Sequence, residues 1–120
     1  MELLGVHHVA VVVPDTAAAL FFYRDVLGLE VIPRPDVGVG GAWLRAGGPG
    51  GQEIHLIERP DATPVPGQHV AFRVGDLDAV VEELRAADVG VRGPNELPNG
   101  TRQAFVRDPS GNMVELTQPV

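Results

Sequence analysis

The stretch His69-Val70-Ala71-Phe72-Arg73-Val74-Gly75-Asp76 repeats, sixty-one residues on, the pattern of His8-Val9-Ala10-Val11-Val12-Val13-Pro14-Asp15. Both copies run His-Val-Ala, then mainly apolar residues and a turn-former, then Asp in front of a helix-like segment. A repeat of this kind limits the fold more than any composition does. One copy is one supersecondary unit, and a sheet covered by a single helix leaves its other face needing a partner. The repeat also sets two histidines, His8 and His69, at equivalent points.

Along the chain, the β-branched run His7 to Val13 stops at Pro14 and predicts a strand. Asp15 stands where an N-cap belongs, and Thr16 to Leu27 carries Leu20, Tyr23 and Leu27 at one-face spacing before Gly28. Short strands follow at Glu30 to Ile32, Ala42 to Arg45 and Glu53 to Ile57. They are separated by the Gly-rich loop Asp36 to Gly41 and the turn at residues 47–51. Arg59 to Gly67 holds three prolines and no apolar period, which makes it a connector. The pattern then restarts. A strand at His69 to Val74 and an N-cap at Asp76 lead to a helix with Leu77, Val80, Val81 and Leu84 on one face, ending near Gly90. A short strand about Val91, a loop from Gly93 to Gly100, a strand Arg102 to Val106, the turn Asp108 to Gly111 and a strand Met113 to Thr117 complete it. The expected fold is α+β: two tandem βαβββ modules, 1–58 and 68–120, joined by the connector 59–67 in one domain.

At 120 residues the chain is long enough to bury a core without staples, and it has no cysteine to form any. Nine basic residues, all arginine, against sixteen acidic ones give a net charge of −7. That balance argues against nucleic-acid or anionic-membrane surfaces, and the lack of lysine excludes Schiff-base chemistry. No run approaches the roughly 20 apolar residues of a membrane span, and no basic leader precedes the first apolar residues. A soluble, cytoplasmic protein with a small-molecule substrate is expected.

Alternation along strands decides which polar side chains share the face that the helix leaves open. His8 goes with Ala10 and Val12, and His69 with Ala71 and Arg73. On the fourth and eighth strands His55 and Glu115 are each flanked by two aliphatics, Ile54 and Leu56 or Val114 and Leu116, that would pack on the helix. His55 and Glu115 are themselves sixty residues apart, so the four form two repeat-related pairs. An imidazole or carboxylate set into a groove is costly unless paired or bound to metal. Three imidazoles and a carboxylate suit a divalent first-row ion, Zn, Fe, Mn, Co or Ni. His7 has the opposite parity and reads as an ordinary solvated histidine, and Glu53 as a solvated strand-edge residue. Trp43, on the parity of Arg45, is either pocket lining or core, and Phe21-Phe22-Tyr23 reads as helix-to-sheet packing.

His-x-Ala ahead of Pro-Asp, the segment Phe22-Tyr23-Arg24-Asp25-Val26-Leu27-Gly28-Leu29, and Asp108-Pro109-Ser110-Gly111-Asn112 before Val114-Glu115-Leu116 resemble the vicinal oxygen chelate superfamily. That group includes glyoxalase I, extradiol dioxygenases, fosfomycin-resistance enzymes, methylmalonyl-CoA epimerase and bleomycin-binding proteins. The resemblance spans essentially the whole chain. It implies paired modules forming a half-open barrel around a metal or ligand cleft, usually in a homodimer, with the ion held by His8, His55, His69 and Glu115. The chain departs from glyoxalase I at His55, where that enzyme has a glutamate that transfers protons. A 2-His-1-carboxylate triad for extradiol cleavage is available in His8, His69 and Glu115. The only tyrosine, Tyr23, lies on a helix rather than beside the triad. Arg73, Arg45 and Arg102 are the basic candidates for a substrate anion, with Trp43 beside them.

The expected function is therefore a metal-dependent enzyme whose ion takes two oxygens of a small substrate, with isomerase or lyase chemistry or oxygen chemistry. Glu115 and His55 are its catalytic candidates, His55 either as fourth ligand or as general base. The rival expectation is a metal-free module that sequesters a drug or metabolite, as bleomycin-resistance proteins do.

Overall fold

The computed structural model describes residues 1–120, which divide into two compact units, Met1–Thr63 and Pro64–Val120. In the first, strand β1 (His8–Val13) is followed by helix α1 (Thr16–Leu20), which runs on into a π-helical turn over Phe21–Val26. Strands β2 (Glu30–Ile32), β3 (Gly41–Arg45) and β4 (Glu53–Glu58) come next. The sheet order is β1-β4-β3-β2, with β1 parallel to β4 and the other neighbours antiparallel. The second unit repeats this plan with β5 (His69–Arg73), α2 (Leu77–Ala86), β6 (Arg92–Glu96), β7 (Arg102–Arg107) and β8 (Met113–Gln118), in sheet order β5-β8-β7-β6. Each unit is thus βαβββ around a mixed four-stranded sheet. No helix is long and apolar enough to cross a membrane.

Period-two alternation sorts each sheet into two faces. In the first unit Ala42, Leu44, Ile54 and Leu56 are buried with Ala19, Phe22 and Tyr23 of the helical segment. In the second, Ala104, Val106, Val114 and Leu116 are buried with Leu77, Val81 and Leu84 of α2. Both helices start on the aspartates that the repeat marked. Asp15 accepts from the Ala18 amide at 3.2 Å and Asp76 from the Ala79 amide at 3.1 Å.

A second cap is also repeated, and periodicity does not reveal it. Glu58, at the end of β4, accepts from the Thr16 amide at 3.0 Å and its hydroxyl at 2.8 Å. Gln118, at the end of β8, accepts from the Leu77 amide at 2.7 Å. Each thereby satisfies a first-turn N–H that has no partner within its helix, and ties the helix start to the far end of a strand.

Two elements differ from expectation. The first helix widens after Leu20, with the Leu27 amide donating to the Phe22 carbonyl five residues back at 2.9 Å. The wide turn shifts the inward face, so that Phe22 and Tyr23 are buried while Leu20 and Leu27 are only half-buried. The second difference is β6, which occupies part of the segment expected to be a loop. Gly93 and Pro94 are tolerated there because β6 is an edge strand, and its pairing with β7 shifts register between Arg92 and Asn95.

Candidate metal centre

On the open face of the first sheet His55 is paired across from Trp43 and from Ala10, with His8 two residues before Ala10 on β1. The three rings form a stack. Trp43 lies 4.1 Å from His55 at 5° between planes, and His8 lies 3.9 Å from it at 13°. This clamp explains why His55 is buried on the face the helix does not cover. Its Nε2–H donates to Glu53 Oε1 at 2.8 Å.

Glu53 is consequently no solvated edge residue, and the expectation made for it is corrected. Its side chain is only 18% exposed and also faces His7 Nε2 at 3.8 Å. The bond from His55, with attraction to His7, His55 and His8, holds its carboxyl below the ordinary range against an opposing desolvation cost. Strand alternation places Glu53 and His55 on one face, and that spacing was the available signal.

His7 and His8 share a hydrogen bond between their Nδ1 atoms at 2.9 Å. The His8 pKa is lowered, first by desolvation and then by repulsion from His55 and His7, with Glu53 opposing. His8 as a whole is exposed, so this desolvation comes from one side, where its ring is covered by its neighbours. A neutral imidazole is the form that ligates a metal.

The second unit builds a different pair. His69 Nδ1–H donates to the Gly67 carbonyl at 2.9 Å, which leaves Nε2 as the lone-pair nitrogen of the neutral ring. That nitrogen faces Glu115 Oε1 at 3.4 Å, and Gln103 Nε2 donates to the same oxygen at 3.3 Å. Two acceptors aimed at one another need a proton or a cation between them. A spacing of 3.4 Å matches two ligands each about 2.1 Å from one tetrahedral ion. The Nδ1–carbonyl bond is the kind that orients metal-bound imidazoles. The pair supplies two donors of the kind a divalent cation takes, and no third histidine or acidic side chain gathers with them.

The structure thus brings His8 to His55 within one unit and His69 to Glu115 within the other. Among the substrate candidates, Trp43 stacks on His55, and Arg45 is bound to Glu30 at 3.1 Å on the same face. Arg73 has the parity of His69, is exposed and has no carboxylate partner. Arg102 does not belong with them. It shares parity with the buried Ala104 and Val106 on the helix side of β7, and pairs through two bonds, at 2.8 and 3.1 Å, with Asp78 of α2. Tyr23 is fully buried beneath the first sheet.

A profile of the Glyoxalase/Bleomycin resistance protein/Dioxygenase superfamily matches residues 5–116, and the chain belongs to that superfamily. Its fold matches the crystal structure of a putative glyoxalase family protein from Bacillus anthracis, with a TM-score of 0.89, 30% identity, and coverage of 100% of this chain and 98% of that one. It also matches TnmS3, an antibiotic binding protein from Streptomyces sp. CB03234, at a TM-score of 0.84 and 27% identity, covering 100% and 99%. In sequence it is 30% identical over 130 residues to the ethylmalonyl-CoA/methylmalonyl-CoA epimerase of Cereibacter sphaeroides, covering 93% of this chain and 96% of that protein.

Proposed function

We propose that the protein is a metal-dependent enzyme of the isomerase or epimerase kind, acting on a small substrate that presents two oxygens to a divalent ion. The observation that carries this reading is the pair of facing acceptors, His69 Nε2 and Glu115 Oε1 at 3.4 Å, with His69 oriented from behind by Gly67. The proposed ligands are His8, His69 and Glu115, with His55 kept for proton transfer. A bound divalent ion supplies Lewis acidity toward carbonyl-type oxygens.

The remaining work falls to side chains. His55 moves a proton at the carbon next to the substrate carbonyl, and the ionised Glu53 holds its ring and stabilises the imidazolium that results. His55 is thus assigned as base rather than as a mere fourth ligand, because its Nε2 is already committed to Glu53 and its faces to Trp43 and His8. Oxygen chemistry is less well supported, since Tyr23, the only tyrosine, lies on the helical segment and is fully buried beneath the first sheet. The relationship to the Cereibacter epimerase supports the same choice.

A second reading, a metal-free binding module, draws on the flat Trp43–His55–His8 platform and on the likeness to TnmS3. Elemental analysis of untagged protein purified without chelator separates the two. The enzyme reading expects a bound first-row metal that is lost in His69→Ala, and solvent-deuterium exchange at the carbon beside the carbonyl of acyl-thioester and 2-oxo substrates. Protein that takes up no such metal under any loading condition overturns it. We place the protein in the cytoplasm as a homodimer, with sedimentation as the check on assembly.

A further inference from the structure

We infer that a recess on the open face of the second sheet, between Arg92 and Arg107, binds the anionic group of a small acid whose carbon skeleton lies on Phe105 and Met113. The recess has a volume of about 470 Å³ and these four residues line it. That size falls within the roughly 300–1,000 Å³ of small-ligand pockets. Register places them together, because Arg92 is paired with Phe105 and Arg107 with Met113 across neighbouring strands.

Six of the nine arginines make no carboxylate pair, and two of the six meet at this recess. Acids outnumber arginines sixteen to nine, and Arg24, Arg45 and Arg102 are each bound to a carboxylate. Arg92 and Arg107 make no such pair although both stand at one recess. Each is nonetheless held in place. Arg92 lies with its Cζ 4.7 Å above the Phe105 ring, and Arg107 Nη1 donates to the Gly111 carbonyl at 2.9 Å. Gly111 belongs to a turn that the buried Asp108 organises through bonds from Ser110 and Asn112. Two anchored guanidinium groups with free N–H donors over a half-buried phenyl ring and thioether suit a carboxylate or phosphate on an apolar body.

The recess also adjoins the candidate metal ligands. The Phe105 ring lies 5.9 Å from the His69 ring, edge to face, and Phe105 is paired across from Glu115. That the bound acid is the substrate rests on the reading given above, whereas the binding of an anion does not. On that reading the enzyme acts on acids that reach from the ion at one end to Arg92 and Arg107 at the other.

The test uses the full chain, freed of metal by chelator, with methyl-labelled methionine. The chain has two methionines, and Met113→Leu assigns the Met113 signal. Phenylacetate, phenyl phosphate and neutral phenylacetamide are titrated in turn. We expect a saturable shift of the Met113 methyl with one or both anions, and at least about tenfold weaker binding of the amide. Response to one anion alone identifies the group as carboxylate or phosphate. Replacing both arginines (Arg92→Gln with Arg107→Gln) should weaken the anion by at least about tenfold, and the Arg92→Lys, Arg107→Lys pair should keep part of it. His69→Ala should leave it within about twofold, so that failure of the metal reading and failure of this one are seen separately. The inference is overturned if neither anion shifts Met113, if the amide binds equally well, or if anion binding is lost with His69 rather than with the arginines. The amide comparison needs no variant, so it decides the matter even if the glutamine pair does not fold.

Discussion

His69 Nε2 and Glu115 Oε1 face one another at 3.4 Å while the opposite nitrogen of His69 donates to the Gly67 carbonyl. A neutral imidazole held this way opposes two lone pairs. In Glu115→Gln the new amide donates to His69 Nε2, which removes that opposition and the negative ligand together. Thermal unfolding of the metal-free variant should occur at or above the wild-type midpoint. The stabilisation that added metal gives the wild type, about 2.7 kcal/mol at a hundredfold excess over Kd, should disappear. A variant that still gains midpoint on adding metal counts against Glu115 as a ligand.

Glu53 is proposed to position His55 rather than to touch substrate. Glu53→Gln keeps the side chain's shape but removes the charge that stabilises the imidazolium. Turnover should fall by about 10- to 100-fold with KM nearly unchanged. The acid limb of the kcat profile should move in the same variant, which loss of packing alone would not do. An equal loss through KM would assign Glu53 to binding instead.

Asp108 is 5% exposed and accepts from the amides of Ser110 and Asn112, the Ser110 hydroxyl and the Asn112 side-chain amide. Asp108→Ala leaves these donors unsatisfied and should cost about 2–4 kcal/mol in denaturant unfolding. Because the turn carries Gly111, the anchor of Arg107, anion binding should weaken too. Asp108→Asn, which keeps an acceptor, should lose less of both.

Glu58 gives the protein a specific acid sensitivity. Bonds from the Thr16 amide and hydroxyl lower its pKa below the ordinary 4.5, and desolvation and Asp15 only partly oppose them. A carboxyl depressed in the folded state contributes stability that is present above its unfolded pKa and is lost as pH falls through the folded value. Glu58→Gln should therefore unfold more easily than wild type near pH 7. The gap should close as the pH drops below about 4. A gap that stays constant down to acid would show that the hydrogen bonds matter and the charge does not.

The sequence was most legible where the duplication constrained it. The His8 and His69 copies, the caps Asp15 and Asp76, and the alternation at Ile54-His55-Leu56 and Val114-Glu115-Leu116 are local patterns, and they led to both βαβββ units. Gly93-Pro94 misled because turn propensity cannot tell a loop from an edge strand, where a missing N–H costs no ladder bond. The wide turn after Leu20 was hidden for a related reason, since a 3.6-residue period assumes α geometry throughout. Arg102 needed its partner Asp78 of α2, a pairing between residues twenty-four apart that no strand period contains.

What the chain determined by itself is therefore periodic: which residues form strands and helices, which faces turn toward a helix, and which four polar residues recur at equivalent points. What only the tertiary structure decided is pairwise. The stacking of Trp43 and His8 on His55, the ties of Glu58 and Gln118 to helix starts, and the grouping of Arg92 with Arg107 join residues from different elements. Strand order and register set those meetings, and neither is contained in the period of any one segment.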